Sequence, residues 1–136
     1  MILLLLFTLL TPQAQPEYAG AISAYAEAPS VATLEYNAAL LPADLSNYFG
    51  AVAVNNCDAI GAEALLEYDG KYYLMIVADC AGGADGGAQW MSDYNVCCEL
   101  FFGAAQKLPD AIGQHGRIII GCNWADACVW PVEVTR

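Results

Sequence analysis

From Ile60 to Gly83 the chain reads IGAEALLEYDGKYYLMIVADCAGG, two apolar-rich runs joined by Asp69-Gly70. Asp-Gly between such runs is the strongest short-range signal for a two-residue β-hairpin turn. Pairing outward from the turn sets the register: Tyr68 faces Lys71, Leu66 faces Tyr73, and Ala64 faces Met75. Side chains alternate along a strand, so these residues share one face with Val77 and Asp79. The opposite face carries Glu63, Glu67 and Tyr72 along with Leu65, Leu74 and Ile76. Because the acids of the first strand sit on that second face, the first is expected to be the interior. Asp79 would then end an inward-pointing row, at the mouth of an apolar interior.

The remaining pattern predicts shorter elements. AGAISAYAE alternates small apolar and larger residues as a first strand that stops before Pro29. LLPADLSNYFG predicts a short helix, with Pro42 in its first turn, Leu45, Tyr48 and Phe49 on one face, and Gly50 as terminator. AVAV follows as a strand. After the loop AGGADGGAQWMSDYN, the stretch CCELFFGAAQKLP predicts a helix with Leu100, Phe101, Ala104 and Leu108 on one face. In that helix Glu99 would lie in the first turn and Lys107 in the last, each at the end the helix dipole favours. GRIIIG and VWPVEVT are predicted closing strands, with Pro131 pushing the second to an edge or a bulge.

At 136 residues the chain suits one domain. The apolar run Ile2–Leu10 has the length of a signal-peptide core and falls far short of the roughly 20 residues a bilayer span needs. The expected organisation is a signal peptide over 1–14, a lead-in with the first strand over 15–30, and the rest of the domain over 31–136, with no membrane span after cleavage. Six cysteines fit a disulfide framework in an oxidising compartment. Cys122 and Cys128 close a short loop around Trp124 and are expected to pair. Cys97 and Cys98 are expected to bond to different partners, because a bond between neighbours is strained. With no C-x2-C pair and His115 as the one histidine, no metal site is expected, and no motif implies a cofactor. Fifteen acids against 4 bases give a net charge of −11, which makes nucleic acid and anionic membranes poor partners.

The order of small strand, VAV, Ile60-Gly61-Ala62, hairpin, VADC with Gly82-Gly83, acid-led short helix and final apolar strands resembles the double-psi β-barrel of the rare-lipoprotein-A-like group. Expansins, barwin-like proteins and the 3D domains of cell-wall enzymes are its relatives. Ile60-Gly61-Ala62 looks like the hydrophobic-Gly-Thr entry of that barrel, VADC like its Asp-bearing strand end, and ELFFGAAQKL like the helix that supplies a second acid. Asn55-Asn56 stand where the 3D domains carry their first aspartate. The resemblance covers about residues 19–136 and implies an all-β, six-stranded, disulfide-stabilised barrel with short helices. It further implies a secreted or cell-envelope protein that acts on or binds polysaccharide, either peptidoglycan or a plant-type wall glycan.

Asp79 and Glu99 are the candidate catalytic pair for a lytic transglycosylase-like cleavage, which needs an acid for the glycosidic oxygen and an anion for the oxocarbenium-like transition state. Burial would keep Asp79 protonated as the donor, and a helix start would keep Glu99 charged as stabiliser or base. Asp85 and Asp93 are alternative second acids. Trp90, Asp93, Tyr94 and Trp124 are the candidate substrate-binding residues, the aromatics stacking on sugar rings. Trp130 is expected in the core and His115 in a loop. The alternatives to an enzyme are a non-catalytic, expansin-like carbohydrate-binding module and a secreted interaction or inhibitor protein on the same scaffold.

Overall fold

In a computed structural model of the chain, the described residues are 16–81 and 87–136. The expected signal peptide and Asp85 lie outside them. Six strands are present: β1 (Glu17–Ala24), β2 (Gly50–Val54), β3 (Ala62–Tyr68), β4 (Lys71–Cys80), β5 (Val96–Leu100) and β6 (His115–Asn123). Three short helices accompany them, α1 (Glu27–Tyr36), α2 (Gly87–Asp93) and α3 (Phe102–Lys107). The β3–β4 hairpin has the predicted register, with Tyr68 opposite Lys71, Leu66 opposite Tyr73 and Ala64 opposite Met75. Asp69 and Gly70 both take positive φ, 51° and 75°, as a tight two-residue turn between right-twisted strands demands.

The strands close into a barrel in the order β1-β5-β2-β4-β3-β6. β1 runs parallel to β5 and β2 parallel to β4, and every other neighbour is antiparallel. This closed six-stranded architecture is compatible with a double-psi barrel. Ile22, Val52, Leu66, Met75, Leu100 and Ile118 fill the interior, each apolar side chain contributing about 1.5–3 kcal/mol on full burial. A second apolar layer, with Ala53, Leu65, Leu74, Ile76 and Phe101, lies outside the barrel wall. It is covered by Tyr25, Leu34, Leu45, Trp130 and Val134. The two faces of the hairpin therefore divide as the sequence predicts, although both are buried.

Three predicted elements differ. No helix forms over 40–50: a 3-10 turn at Ala38–Leu40 is followed by turns and bends. Asp44 Oδ1 accepts the Ser46 amide at 2.9 Å, a local turn bond that competes with a helix. Tyr48 goes to the outer layer and Phe49 to the interior, so the three residues of the supposed helix face do not act together. Cys97–Leu100, expected to open a helix, belong instead to strand β5, held between β1 and β2. The helix starts only at Phe102, whose amide donates to Ser30 Oγ at 3.0 Å. VWPVEVT forms no barrel strand but a strap across the outer layer. Trp130 lies against Gly121 and donates Nε1 to Glu63 Oε1 at 3.1 Å, so it is half-buried on the wall rather than in the interior. Thr135 bridges to Tyr73, with two backbone bonds of 2.8 Å to Tyr72 and Leu74.

Cys57–Cys80 and Cys122–Cys128 are disulfides, with Cα separations of 4.8 and 5.7 Å. The third expected bridge is absent. Cys97 and Cys98 are buried thiols bonded to no other cysteine. The β1–β5 register steps from Ala21 opposite Val96 to Ile22 opposite Cys98, which leaves Cys97 as the extra residue of a bulge. Both side chains consequently enter the interior, with their sulfurs 3.4 Å apart.

Candidate functional site

Asp79 owes its position to a second bulge. Along the β2–β4 ladder Val52 pairs with Val77, but Ala53 pairs with Asp79, so Ala78 is the extra residue. One extra residue reverses the alternation beyond it. Val77 closes the inward row, and Asp79 shares the outer face with Ala53 instead of ending that row. The Ala78 carbonyl accepts Asn37 Nδ2 at 2.9 Å, which anchors the bulge beneath the end of α1.

Glu99 pairs with Ser23 of β1 on one side and Ala53 of β2 on the other. The two acids thus flank Ala53 on the outer wall. Their Cα atoms are roughly 10 Å apart, twice the strand spacing of about 4.8 Å. Because Glu99 is a strand residue, the helix-dipole argument for its charge does not apply. Because Asp79 faces outward, the argument that an apolar mouth keeps it protonated does not apply either. Both side chains are half-buried. Tyr25, which sequence reasoning missed, joins them: its amide donates to Leu100 O of β5 at 2.8 Å and its hydroxyl to Asp79 Oδ2 of β4 at 2.9 Å. β2 lies between β5 and β4, so the Tyr25 ring crosses over the strand that separates the acids. It packs 5.0 Å from the Phe101 ring.

The candidate binding residues collect at one end of the barrel, formed by the C-terminal ends of β2, β4 and β6 and the N-terminal ends of β1, β3 and β5. Trp90 and Tyr94 lie on and just after α2 with ring centroids 5.9 Å apart, and they are 40% and 68% exposed. Met91, next to Trp90, is the buried residue that seats this helix. Asn55 Nδ2 donates to Ala88 O at 3.2 Å and ties α2 to the end of β2. Asp93 is exposed and accepts Gln89 Nε2 at 2.7 Å. Trp124 stands on the β6 side of the same rim, 37% exposed, its Nε1 donating to Leu40 O at 3.1 Å. The structure therefore brings Trp90, Asp93 and Tyr94 together, keeps Trp124 across the rim, and leaves Asp79 and Glu99 on the wall.

Two clefts open at this rim. One, of about 340 Å³, runs between the start of β1 and α2 and is lined by Glu17, Tyr18, Asn55, Met91, Ser92 and Asn95. The other, of about 300 Å³, is lined by Pro16, Asn56, Asp58, Ile60, Gly121 and Asn123. A larger cavity, about 620 Å³, lies at the far end between the hairpin turn and the C-terminal strap and contains no candidate residue. His115 is also at the far end, beside Tyr68 and Asp69. Ser92 and Asn95 had no motif to reveal them, although Asn95 holds a left-handed φ of 51° that favours its residue type.

Charge is distributed unevenly. None of the chain's four bases lines either rim cleft: Lys107 reaches Phe49 O, Arg136 reaches Asn47 O, Lys71 follows the hairpin turn, and Arg117 pairs with Glu17 and Glu67. Hydrogen bonding to Arg117 holds the Glu67 carboxyl below its usual range. The hydrogen bond it shares with Cys97, reinforced by burial, pushes the Cys98 thiol well up. Among the described residues no three His, Cys, Asp or Glu side chains gather to hold a metal ion, and no helix is long and apolar enough to cross a membrane. Compared with family models, curated proteins and solved structures, the chain matches none.

Proposed function

We propose that this is a non-catalytic polysaccharide-binding barrel of an oxidising, extracellular or cell-envelope setting, which holds wall glycan at the α2 rim. The observation that carries this reading is the exposed Trp90–Tyr94 pair beside a cleft of amide, hydroxyl and carboxylate groups. Aromatic faces suit the apolar faces of sugar rings, and Asn55, Ser92 and Asn95 suit their hydroxyls. The two disulfides and the strongly acidic composition agree with the setting.

The binding reading is preferred to lytic transglycosylase-like cleavage because the Tyr25 ring occupies the wall between Asp79 and Glu99. A glycosidic bond placed between two acids needs that space open. Binding to insoluble peptidoglycan, chitin and cellulose by co-sedimentation, with mass spectrometry of the supernatant, tests the proposal. Retention on at least one glycan without released products supports it. Loss from all of them, or release of sugar products, overturns it.

A further inference from the structure

The two rim clefts are neighbours by construction. Asn55 lines one and the next residue, Asn56, lines the other; Glu17 lines one and the preceding Pro16 lines the other. Two pairs of consecutive residues, with Cα atoms about 3.8 Å apart, therefore link the lining of one cleft to the lining of the other. Each cleft also has an exposed aromatic margin. Trp90 and Tyr94 are exposed and are chain neighbours of Met91, Ser92 and Asn95, which line the first. Trp124 borders the second, since it follows Asn123 and its amide donates to Gly61 O at 2.9 Å, next to Ile60.

The polar groups of the second cleft are held in place. Asn56 Oδ1 accepts the Asp58 amide at 3.1 Å, and Asn123 Oδ1 accepts the Ala125 amide at 3.0 Å. Each oxygen is thus used as a cap, which fixes the side chain and turns its amino group into the donor it offers. The Asp58 carboxylate supplies an acceptor. Fixed donors and an acceptor beside an aromatic edge are the chemistry that hydroxyl-rich rings require.

Resting on the polysaccharide reading, we infer that the ligand is an extended oligosaccharide that passes over Asn55-Asn56 and fills both clefts as linked subsites. A single sugar or disaccharide engages one cleft. A longer chain engages both, and its second contact is made at high effective concentration. Affinity should therefore climb with chain length until both clefts are filled and then level off.

The test is a calorimetric titration with β-1,4-linked N-acetylglucosamine and glucose oligomers, from disaccharide to octasaccharide. Wild type should bind the hexasaccharide on the order of 100-fold more tightly than the disaccharide. Trp124→Ala should remove most of that gain, so that long and short oligomers bind nearly alike, whereas Trp90→Ala should weaken both. A second readout needs no variant: the side-chain amide signals of Asn56 and Asn123 should shift in NMR spectra with hexasaccharide and stay in place with disaccharide. Affinity independent of length, or Asn56 and Asn123 signals that never move while oligomers bind, would overturn the two-subsite inference and leave the binding function standing. No binding by any oligomer would overturn both.

Discussion

Tyr25 donates its hydroxyl to Asp79 across the intervening strand, at 2.9 Å. That bond fastens the turn after β1 to the end of β4 and closes the wall over Ala53. It makes Asp79 an acceptor that orders structure, which is a different task from giving up a proton. Tyr25→Phe keeps the ring packing on Phe101 and removes only the bond. A hydrogen bond to a charged group contributes about 1.5–3 kcal/mol when well sheltered, and this one is partly buried, so the loss should sit at or below the low end. Thermal melts should show that loss, with glycan binding at the rim unchanged.

The cysteine arrangement gives a second expectation. Alkylation of the folded protein under non-reducing conditions should leave Cys97 and Cys98 unmodified, since both are buried and the Cys98 thiol is held protonated. After unfolding in denaturant both should label, while Cys57–Cys80 and Cys122–Cys128 remain joined. Peptide mapping that finds Cys97 or Cys98 bridged to Cys57, Cys80, Cys122 or Cys128 would contradict the bulge geometry.

Gly121 is where the C-terminal strap meets the barrel. A Cβ built there would come within 2.5 Å of the Trp130 ring and 3.1 Å of Glu63 O. Gly121→Ala should push Trp130 off the wall and weaken its bond to Glu63, at a cost of about 1–3 kcal/mol typical of overpacking. Trp fluorescence should shift to the red along with the lower melting temperature. An unchanged spectrum would show that Trp130 is not seated on Gly121.

Stability should also depend on pH through Glu67. Its folded-state pKa is lowered by the Arg117 hydrogen bond, so the contribution is fully present above the unfolded glutamate pKa of about 4.5. It is lost as pH falls through the lower folded value. Melting temperature should drop in that acidic window, and Glu67→Gln should flatten this part of the profile. The effect should be modest and should shrink in high salt, because the pair is more than a third exposed on the Arg117 side.

The hairpin was legible because Asp69-Gly70 fixes a register and alternation does the rest, down to the division of Leu65, Leu74 and Ile76 from Leu66, Met75 and Val77. The barrel was implied by the family resemblance and is present, but β5 was read as the start of a helix and VWPVEVT as a barrel strand. Val96–Leu100 reads VCCEL, with no alternation of apolar and polar positions, and the spacing of Leu100, Phe101, Ala104 and Leu108 imitates a helix. The two bulges, at Cys97 and Ala78, leave no mark in a binary pattern, yet they decide that the thiols face each other and that Asp79 faces outward. Trp90 and Tyr94 were singled out in a stretch read as a loop, of which Gly87–Asp93 instead form α2. Tyr25 was not, because its partner is 54 residues away and is reached only when the barrel closes.

The central claim is that glycan is held at the α2 rim and is not cut. Titrating one oligosaccharide into wild type and the Trp90→Ala/Tyr94→Ala double variant, with the ligand's mass recorded before and after, tests it most directly. The account predicts binding by wild type, a marked loss of affinity in the variant, and intact ligand throughout. Undiminished binding by the double variant, or products that disappear in Asp79→Asn, would contradict it.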